Sequence, residues 1–299
     1  MSAIDQAFIR AYQPEEQQAQ RSGASSTASV VKSGPAPPFR VYTEATAATI
    51  APPREEAAIG RRPLSAFAQP GPTVESQFKP SLEVDGFHWS PIGNDLVQNH
   101  KSRLRPLVQM LLAADDAGRS LIGVMGAARG VGCTTLVGCL ARLLVQAGKT
   151  VAIVDGDFTR PALAQQLGLA VETGWEDVLS GRTPLAEAVV HSLDDSLALL
   201  PLVQGGAAAA EKLGAIHASV TAGVLRYHYD MVLFDLGAVG DAVQGSTARR
   251  IARQCRLDGV VLTSGLAAAS TVHPQRLMQT APELAAICLG VVENQLRAA

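Results

Sequence analysis

The segment Gly126-Ala127-Ala128-Arg129-Gly130-Val131-Gly132-Cys133-Thr134-Thr135 decides how this chain folds, because it has the layout of a phosphate-binding loop. An apolar run at residues 121–125 precedes it and is typical of a buried parallel strand. Apolar residues at helical spacing follow it over residues 135–147. Strand, glycine-rich turn and helix therefore come in the order that a phosphate site requires.

The residues of this loop have distinct expected roles. Glycines in such a loop let successive backbone N–H groups converge on the phosphates, and a Ser/Thr hydroxyl reaches Mg²⁺. Thr134 is the expected magnesium ligand. Contacts with the nucleotide are expected from seven consecutive residues: Arg129, Gly130, Val131, Gly132, Cys133, Thr134 and Thr135.

Cys133 stands where the lysine that bridges the β- and γ-phosphates belongs. A thiol brings no positive charge, and a thiolate formed at the helix N-terminus would repel phosphate. Losing such a cation costs phosphoryl transfer roughly 10³–10⁵-fold, so binding is expected to survive better than chemistry. Arg129, four residues earlier, can lend a guanidinium to the same phosphates. The alternative is an exposed arginine on a turn.

Three aspartates end predicted strands. Asp155 and Asp157 follow one apolar run, and Asp235 ends another. Because the carboxyl ends of parallel strands open onto the phosphate loop, three acids there suit Mg²⁺ coordination and the orientation of an attacking hydroxyl or water. The alternative is that each acid simply caps the turn or helix that follows it.

Composition limits the classes of function. The chain has 299 residues and a formal net charge of −2, which allows one large domain with an extension and argues against broad capture of nucleic acid. The four cysteines have no CxxC spacing, so we expect reduced thiols in a cytoplasmic protein and no structural zinc. No signal peptide is evident, and no apolar stretch approaches the roughly 20 residues of a membrane span.

Residues 1–91 are predicted to form a disordered arm rich in Pro, Ala and Ser, because they hold 11 of the 17 prolines. One segment of the arm differs. Residues 2–13 are predicted to form a short docking helix, with Ile4, Phe8 and Tyr12 on one face and a capping box from Ser2 and Asp5. Such a helix would bind in a groove of a partner; the alternative is a transient helix.

Residues 92–299 are predicted to form one nucleotide-binding domain of the α/β class, with a doubly wound, mainly parallel sheet. Besides the strand before the loop, strands are expected at residues 150–154, 197–200, 231–234, 259–263 and 287–292. Further helices are expected over 95–114, 208–225, 244–254 and 272–280. Pro106 should begin a new helix or kink the first of these.

Six segments follow the loop in a specific order: VAIVDGDFTRPAL, GWEDVLSGRTPLAEAVV, LALLPLVQGG, YDMVLFDLGAVGD, DGVVLTS and LGVVENQ. With the loop, this order resembles the cytoplasmic P-loop domain of bacterial tyrosine kinases of the capsule and exopolysaccharide type, within the wider MinD/ParA-like ATPase class. The resemblance covers about residues 95–296.

The resemblance implies ATP or ADP with Mg²⁺ as cofactors. Asp155 and Asp157 match the second Walker motif, which makes them the expected catalytic residues. They would serve metal coordination and activation of a tyrosine hydroxyl. Asp235 matches the Walker B acid, and with Thr134 and Asp155 it completes the expected metal ligands. Asn294 matches an asparagine that reads the adenine edge; the alternative is an ordinary turn residue.

The implied partner is a membrane-bound polysaccharide export or chain-length protein, which would recruit a cytoplasmic protein to the inner face of the membrane.

The sequence also departs from those kinases. Besides Cys133, residues 129–132 replace Pro-Gly-Glu-Gly, and residues 236–238 replace the proline after the Walker B acid. No tyrosine follows Tyr229, which argues against a kinase acting on its own tail. The oligomerisation motif that often precedes the loop is not evident around residues 101–105.

Three hypotheses remain. The first, which we favour, is a nucleotide-binding regulator of polysaccharide synthesis or export. The second is an active tyrosine kinase or ATPase that uses Arg129 or a partner's residue in place of the lysine. The third is a scaffold that binds no nucleotide.

Overall fold

The computed structural model describes residues 41–43, 78–214, 216–265, 277 and 279–294. The chain separates into two compact units, Met1–Pro38 and Phe39–Ala299, and every described residue belongs to the second. The docking helix predicted at residues 2–13 lies outside the described residues, as does most of the helix predicted over 272–280.

The described strands form one nine-stranded sheet with the order β1-β9-β8-β3-β7-β4-β6-β5-β2. All neighbouring pairs are parallel except β5 with β6 and β1 with β9. The strands are β1 (Val41–Thr43), β2 (Leu82–Val84), β3 (Leu121–Gly126), β4 (Val151–Asp155), β5 (Val190–Ser192), β6 (Leu197–Leu200), β7 (Met231–Ala238), β8 (Gly259–Gly265) and β9 (Cys288–Asn294).

Helices connect these strands and cover both faces of the sheet. They are α1 (Pro91–Asn99), α2 (Lys101–Asp116), α3 (Cys133–Gln146), α4 (Leu163–Gln166), α5 (Trp175–Leu179), α6 (Leu185–Ala188), α7 (Ala207–Glu211), α8 (Ile216–His228), α9 (Ala242–Gln254) and α10 (Pro282–Ala286), with a 3₁₀ turn at Lys212–Gly214. Among the described residues, no helix has the length and apolar character needed to cross a bilayer.

The sheet separates two apolar layers. Alternate residues of β3 point to opposite faces, so that Leu121 and Met125 pack in one layer while Ile122 and Val124 pack in the other. The first, the α8–α9 layer, includes Leu225 of α8 and Ile251 of α9. The second, the α2–α3 layer, contains leucines from both helices: Leu104, Leu107, Leu111, Leu136, Leu140, Leu143 and Leu144. This arrangement confirms the predicted doubly wound, mainly parallel α/β fold.

The disordered arm predicted over residues 1–91 includes residues that are ordered in the structure. Residues 41–43 form a strand, and residues 78–91 form another strand and a segment packed on the domain. Phe87 is buried, and the carboxylate of Asp195 accepts hydrogen bonds from Phe87 N and Trp89 Nε1, both at 2.8 Å. A few aromatic contacts and one partly buried carboxylate thus order a stretch whose composition predicts disorder.

Two helix predictions also need correction. Pro106 lies inside the continuous helix α2, and the break predicted there occurs instead at His100, between α1 and α2. The helix predicted over 208–225 is divided into α7, the 3₁₀ turn and α8.

Candidate functional site

The phosphate loop connects β3 to α3 at the carboxyl edge of the sheet. Gly130 and Gly132 adopt left-handed φ values of 77° and 89°, and Gly132 is the N-cap of α3. The start of the loop is fixed to the neighbouring strands, since Ala127 N donates to Thr263 O at 2.7 Å and Val239 N donates to Gly126 O at 2.9 Å. The N-terminus of a 14-residue helix therefore faces the edge where a phosphate would bind.

Cys133 is buried beneath this loop. Its Sγ lies 3.2 Å from Asp235 Oδ1 and 3.3 Å from Val124 O, so the thiol donates its proton to one or the other. Burial, and then the charge of Asp235, raise the pKa of Cys133 well above its usual value. The thiol therefore stays neutral, and the thiolate considered from the sequence does not form. No cation replaces the lysine at this position.

Asp155 and Asp235 lie side by side, because they are paired residues of the neighbouring parallel strands β4 and β7. Both are almost fully buried. Burial, followed by the charge of Asp235, raises the pKa of Asp155 to about 8. Burial also raises the pKa of Asp235, although a hydrogen bond from Thr134 opposes this. With a pKa of about 8, the carboxyl of Asp155 holds a proton at neutral pH.

Each acid also accepts hydrogen bonds from the turn that follows it. Asp155 accepts from the backbone N–H groups of Asp157, Ala162 and Leu163. Asp235 Oδ1 accepts from Gly237 N at 3.0 Å. The capping alternative raised from the sequence is therefore observed, together with the convergence of two of the acids.

Asp157 lies at the rim of the site and caps its own turn. Its Oδ1 accepts from the Thr159 hydroxyl at 2.6 Å and from Thr159 N and Arg160 N. Its carboxylate packs against Gly237, which has a φ of 60°, and a Cβ at that glycine would overlap the Asp157 carboxylate. From the sequence, residues 236–238 are notable only because they replace a proline, and this role of Gly237 is not predicted.

The Arg129 side chain forms an ion pair with Asp241. Its Nη2 lies 3.5 Å from Oδ2 of Asp241, and its side chain is 45% exposed. Asp241 is the N-cap of α9 and accepts from Val243 N and Gln244 N. This ion pair holds the guanidinium at the N-terminus of α9.

Asn294 closes the loop from the other side. It ends β9, and its Nδ2 donates to Val131 O at 3.0 Å. The side chain thus fixes the loop backbone between Gly130 and Gly132. Its role in reading adenine stays a prediction.

The side chains allow a test of whether this site suits Mg²⁺. Within residues 78–214, 216–265, 277 and 279–294, no three His, Cys, Asp or Glu residues form a group that could hold a metal. The site instead offers two carboxylates, Asp155 and Asp235, and the Thr134 hydroxyl that bonds to Asp235. Oxygen ligands of this kind suit Mg²⁺, which keeps several waters and binds through one or two carboxylates.

Comparison with known proteins places the chain in a family. The model of the family described as cellulose biosynthesis protein BcsQ matches residues 119–286, which is more than half of the chain. The chain belongs to the BcsQ family. The region that defines its membership contains the phosphate loop and all three aspartates.

This BcsQ-family chain also has relatives among tyrosine kinases. It is 34% identical over 79 residues to AmsA of Erwinia amylovora, which is named as a tyrosine-protein kinase. That match covers 26% of the chain and 11% of AmsA, so the chain spans about a tenth of this relative's length.

Solved structures of kinase domains share its architecture. The kinase domain of the Escherichia coli tyrosine kinase ETK has a TM-score of 0.60 at 20% identity, covering 69% of the chain and 81% of that domain. The BceF tyrosine kinase domain has a TM-score of 0.55 at 24% identity, covering 66% and 78%. These likenesses establish the fold. The predicted relationship to exopolysaccharide tyrosine kinases is confirmed, and the BcsQ family is the narrower assignment.

Proposed function

We propose that this protein is a nucleotide-binding regulator of polysaccharide synthesis, acting in cellulose formation, and that it works by binding ATP or ADP without transferring phosphate. One observation carries the proposal. The position of the phosphate-binding lysine holds Cys133, a buried neutral thiol hydrogen-bonded to the Walker B acid Asp235.

Binding is supported by groups that do not depend on the lysine. The loop glycines and the N-terminus of α3 supply backbone N–H groups and partial positive charge for the phosphates. Thr134, Asp155 and Asp235 would hold Mg²⁺, which when bound neutralises charge on the phosphates. Asn294 lies beside the loop, where it would face a bound nucleotide.

Turnover is opposed by the missing cation. The loss of one charge that stabilises the transition state lowers phosphoryl transfer roughly 10³–10⁵-fold. Asp155 and Asp157, the expected catalytic acids, are present, but at neutral pH the pair of Asp155 and Asp235 holds a proton unless a metal displaces it. Asp155 and Asp235 are therefore assigned to metal binding.

A second candidate is an active kinase or ATPase that uses Arg129. It is favoured by the long ion pair of Arg129 with Asp241 and the exposure of both side chains, since such a pair is weak and exchanges readily.

Membership of the BcsQ family supports a proposal about the cellular setting. We propose a cytoplasmic protein that is recruited to the inner face of the membrane by a membrane-bound polysaccharide synthesis or export protein. Residues 2–13 are the proposed docking segment. Deleting them should abolish co-purification with that membrane partner while leaving nucleotide affinity unchanged.

Calorimetric titration with Mg-ATP and Mg-ADP, followed by assays of phosphate release and tyrosine phosphorylation, tests the proposed function. Measurable binding without turnover supports the regulator. Turnover that Asp155→Asn abolishes, and that the surface control Asp230→Asn does not, supports the enzyme. No binding of either nucleotide supports the scaffold.

A further inference from the structure

Gln244 occupies a position that its sequence context does not explain. It lies in the first turn of α9, yet its side chain is fully buried. Its Nε2 donates two hydrogen bonds, to Leu236 O at 2.7 Å and to Gly156 O at 2.9 Å. Its Oε1 is buried without a hydrogen-bond partner. A side chain selected only to fill the core would be apolar, because a buried unpaired amide oxygen is unfavourable.

The two carbonyls that Gln244 binds belong to the two acidic strand ends. Gly156 lies between Asp155 and Asp157, and Leu236 directly follows Asp235. Gly156 N also donates to Asp235 O at 2.8 Å. A Cβ at Gly156 would lie 2.9 Å from that same oxygen, so only glycine allows this approach. Three hydrogen bonds therefore join the turn after β4 to the end of β7.

We propose that Gln244 is a positioning residue of the nucleotide site, whose amide holds Asp155 and Asp157 in register with Asp235. This inference rests on the proposed function, because two of the acids it aligns, Asp155 and Asp235, are those assigned to Mg²⁺. The carboxamide suits the task, since its two N–H groups reach two carbonyls at once without adding charge beside a pair of carboxylates. Gln244 therefore affects the part of the nucleotide affinity that depends on Mg²⁺, whereas the loop backbone supplies the part that does not.

The test compares Gln244→Met, which keeps the length of the side chain and removes the amide, with the control Gln254→Met at the other end of α9. Affinity for ADP is measured by calorimetry with Mg²⁺ and with EDTA. The quantity compared is the factor by which Mg²⁺ raises the affinity for ADP over that in EDTA. We expect this factor to be at least fivefold smaller in Gln244→Met than in the wild type, while the affinity in EDTA stays within twofold of wild type. Gln254→Met should change neither. If Mg²⁺ raises the ADP affinity of Gln244→Met as much as that of the wild type, the inference is overturned. An equal loss of ADP affinity with and without Mg²⁺ also overturns it, because that result indicates a merely structural role.

Amide hydrogen exchange on the nucleotide-free protein gives a second readout. Exchange at Gly156 N–H should become at least tenfold faster in Gln244→Met and remain unchanged in Gln254→Met. Unchanged exchange in Gln244→Met overturns the inference even if nucleotide binds. Absence of ADP binding by the wild type overturns the proposed function instead, and the exchange rates then decide alone whether Gln244 orders the acids. If Gln244→Met does not fold, Gln244→Asn, which withdraws the amide by one methylene, is subject to the same criteria.

Discussion

Residue 133 determines the charge of the phosphate loop. Because the Cys133 thiol is neutral and faces Asp235, a lysine placed there would bring an ammonium group beside both that acid and any bound phosphates. We predict that Cys133→Lys raises the affinity for ATP about tenfold, which corresponds to roughly 1.4 kcal/mol. Calorimetry checks this prediction.

Cys133→Met is the matched control, because it lengthens the side chain without charge and should give no gain. Equal affinities of the two variants would mean that a missing cation is not what limits binding.

The carboxyl of Asp155 is expected to make stability depend on pH. Its pKa is raised to about 8 in the folded protein by burial and by Asp235, whereas an unfolded aspartate titrates near 4. The folded state therefore holds the proton more tightly, and this contribution to stability is complete below about pH 4 and is lost as the pH rises to about 8. The unfolding free energy of the wild type should therefore fall between pH 5 and pH 8.5. In Asp155→Asn that fall should be smaller by roughly 2–4 kcal/mol.

Urea unfolding at the two pH values measures that fall. Asp230→Asn is the control, because a backbone hydrogen bond from Thr150 lowers the pKa of Asp230 and the group is ionised across the whole range. A pH dependence in Asp155→Asn as steep as that of the wild type would contradict the raised pKa of Asp155.

At the scale of elements, the end of β7 depends on a glycine whose backbone is left-handed. Gly237→Ala should destabilise the protein by about 1–3 kcal/mol, because the new methyl group would meet the Asp157 carboxylate at a φ of 60°. Gly223→Ala is the control: it lies on the exposed face of α8, and a Cβ there has nothing within 4 Å. That change should stabilise by about 0.5–1 kcal/mol.

Chemical unfolding of both variants gives the comparison. Effects of the same sign would contradict the crowding at Gly237.

Hydrophobic pattern predicts the central elements of this fold well. The strand predicted over 197–200 has the observed bounds, and the strand and helix around the loop lie within two residues of theirs. These strands are buried on both faces, so their apolar runs are unmistakable. The three-residue strands β1, β2 and β5, which lie at or next to the edges of the sheet, are missed because three residues carry too little pattern. Pro106 misleads because α2 retains its packing on both sides of the proline despite the missing N–H.

For the molecule as a whole, the segment at residues 87–89 fastens the edge of the sheet to the helix of the phosphate loop. Asp195 binds Phe87 N and Trp89 Nε1, and the Trp89 ring lies against Gly138 of α3 with the Arg142 guanidinium 4.8 Å from its centre. Asp195→Ala leaves these two donors and the Ser192 hydroxyl without their acceptor and should cost about 1–3 kcal/mol.

The neighbouring exposed residue supplies the control, since Asp194→Ala should change stability by less than about 0.5 kcal/mol. Urea unfolding followed by tryptophan fluorescence measures both variants. Equal stabilities of Asp195→Ala and Asp194→Ala would mean that residues 87–89 are held by their aromatic packing alone.

The candidate site is predictable where chemistry lies in consecutive residues and not where folding brings distant ones together. The loop, Asp155 and Asp235 follow from local motifs and the rule that parallel strands end at one edge. Arg129 and Asp241 are 112 positions apart, and the hydrogen bond from Gln244 to Gly156 joins residues 88 positions apart. No spacing rule reaches across such separations.

The cysteines of this protein divide between the two sides of the sheet. Cys139 lies in the α2–α3 layer and Cys255 in the α8–α9 layer, and both are buried free thiols. Maleimide labelling of the native protein, resolved by mass spectrometry, would therefore report on each side separately. Matching labelling rates would indicate that the domain opens as one cooperative unit, whereas unequal rates would identify the side that loosens first.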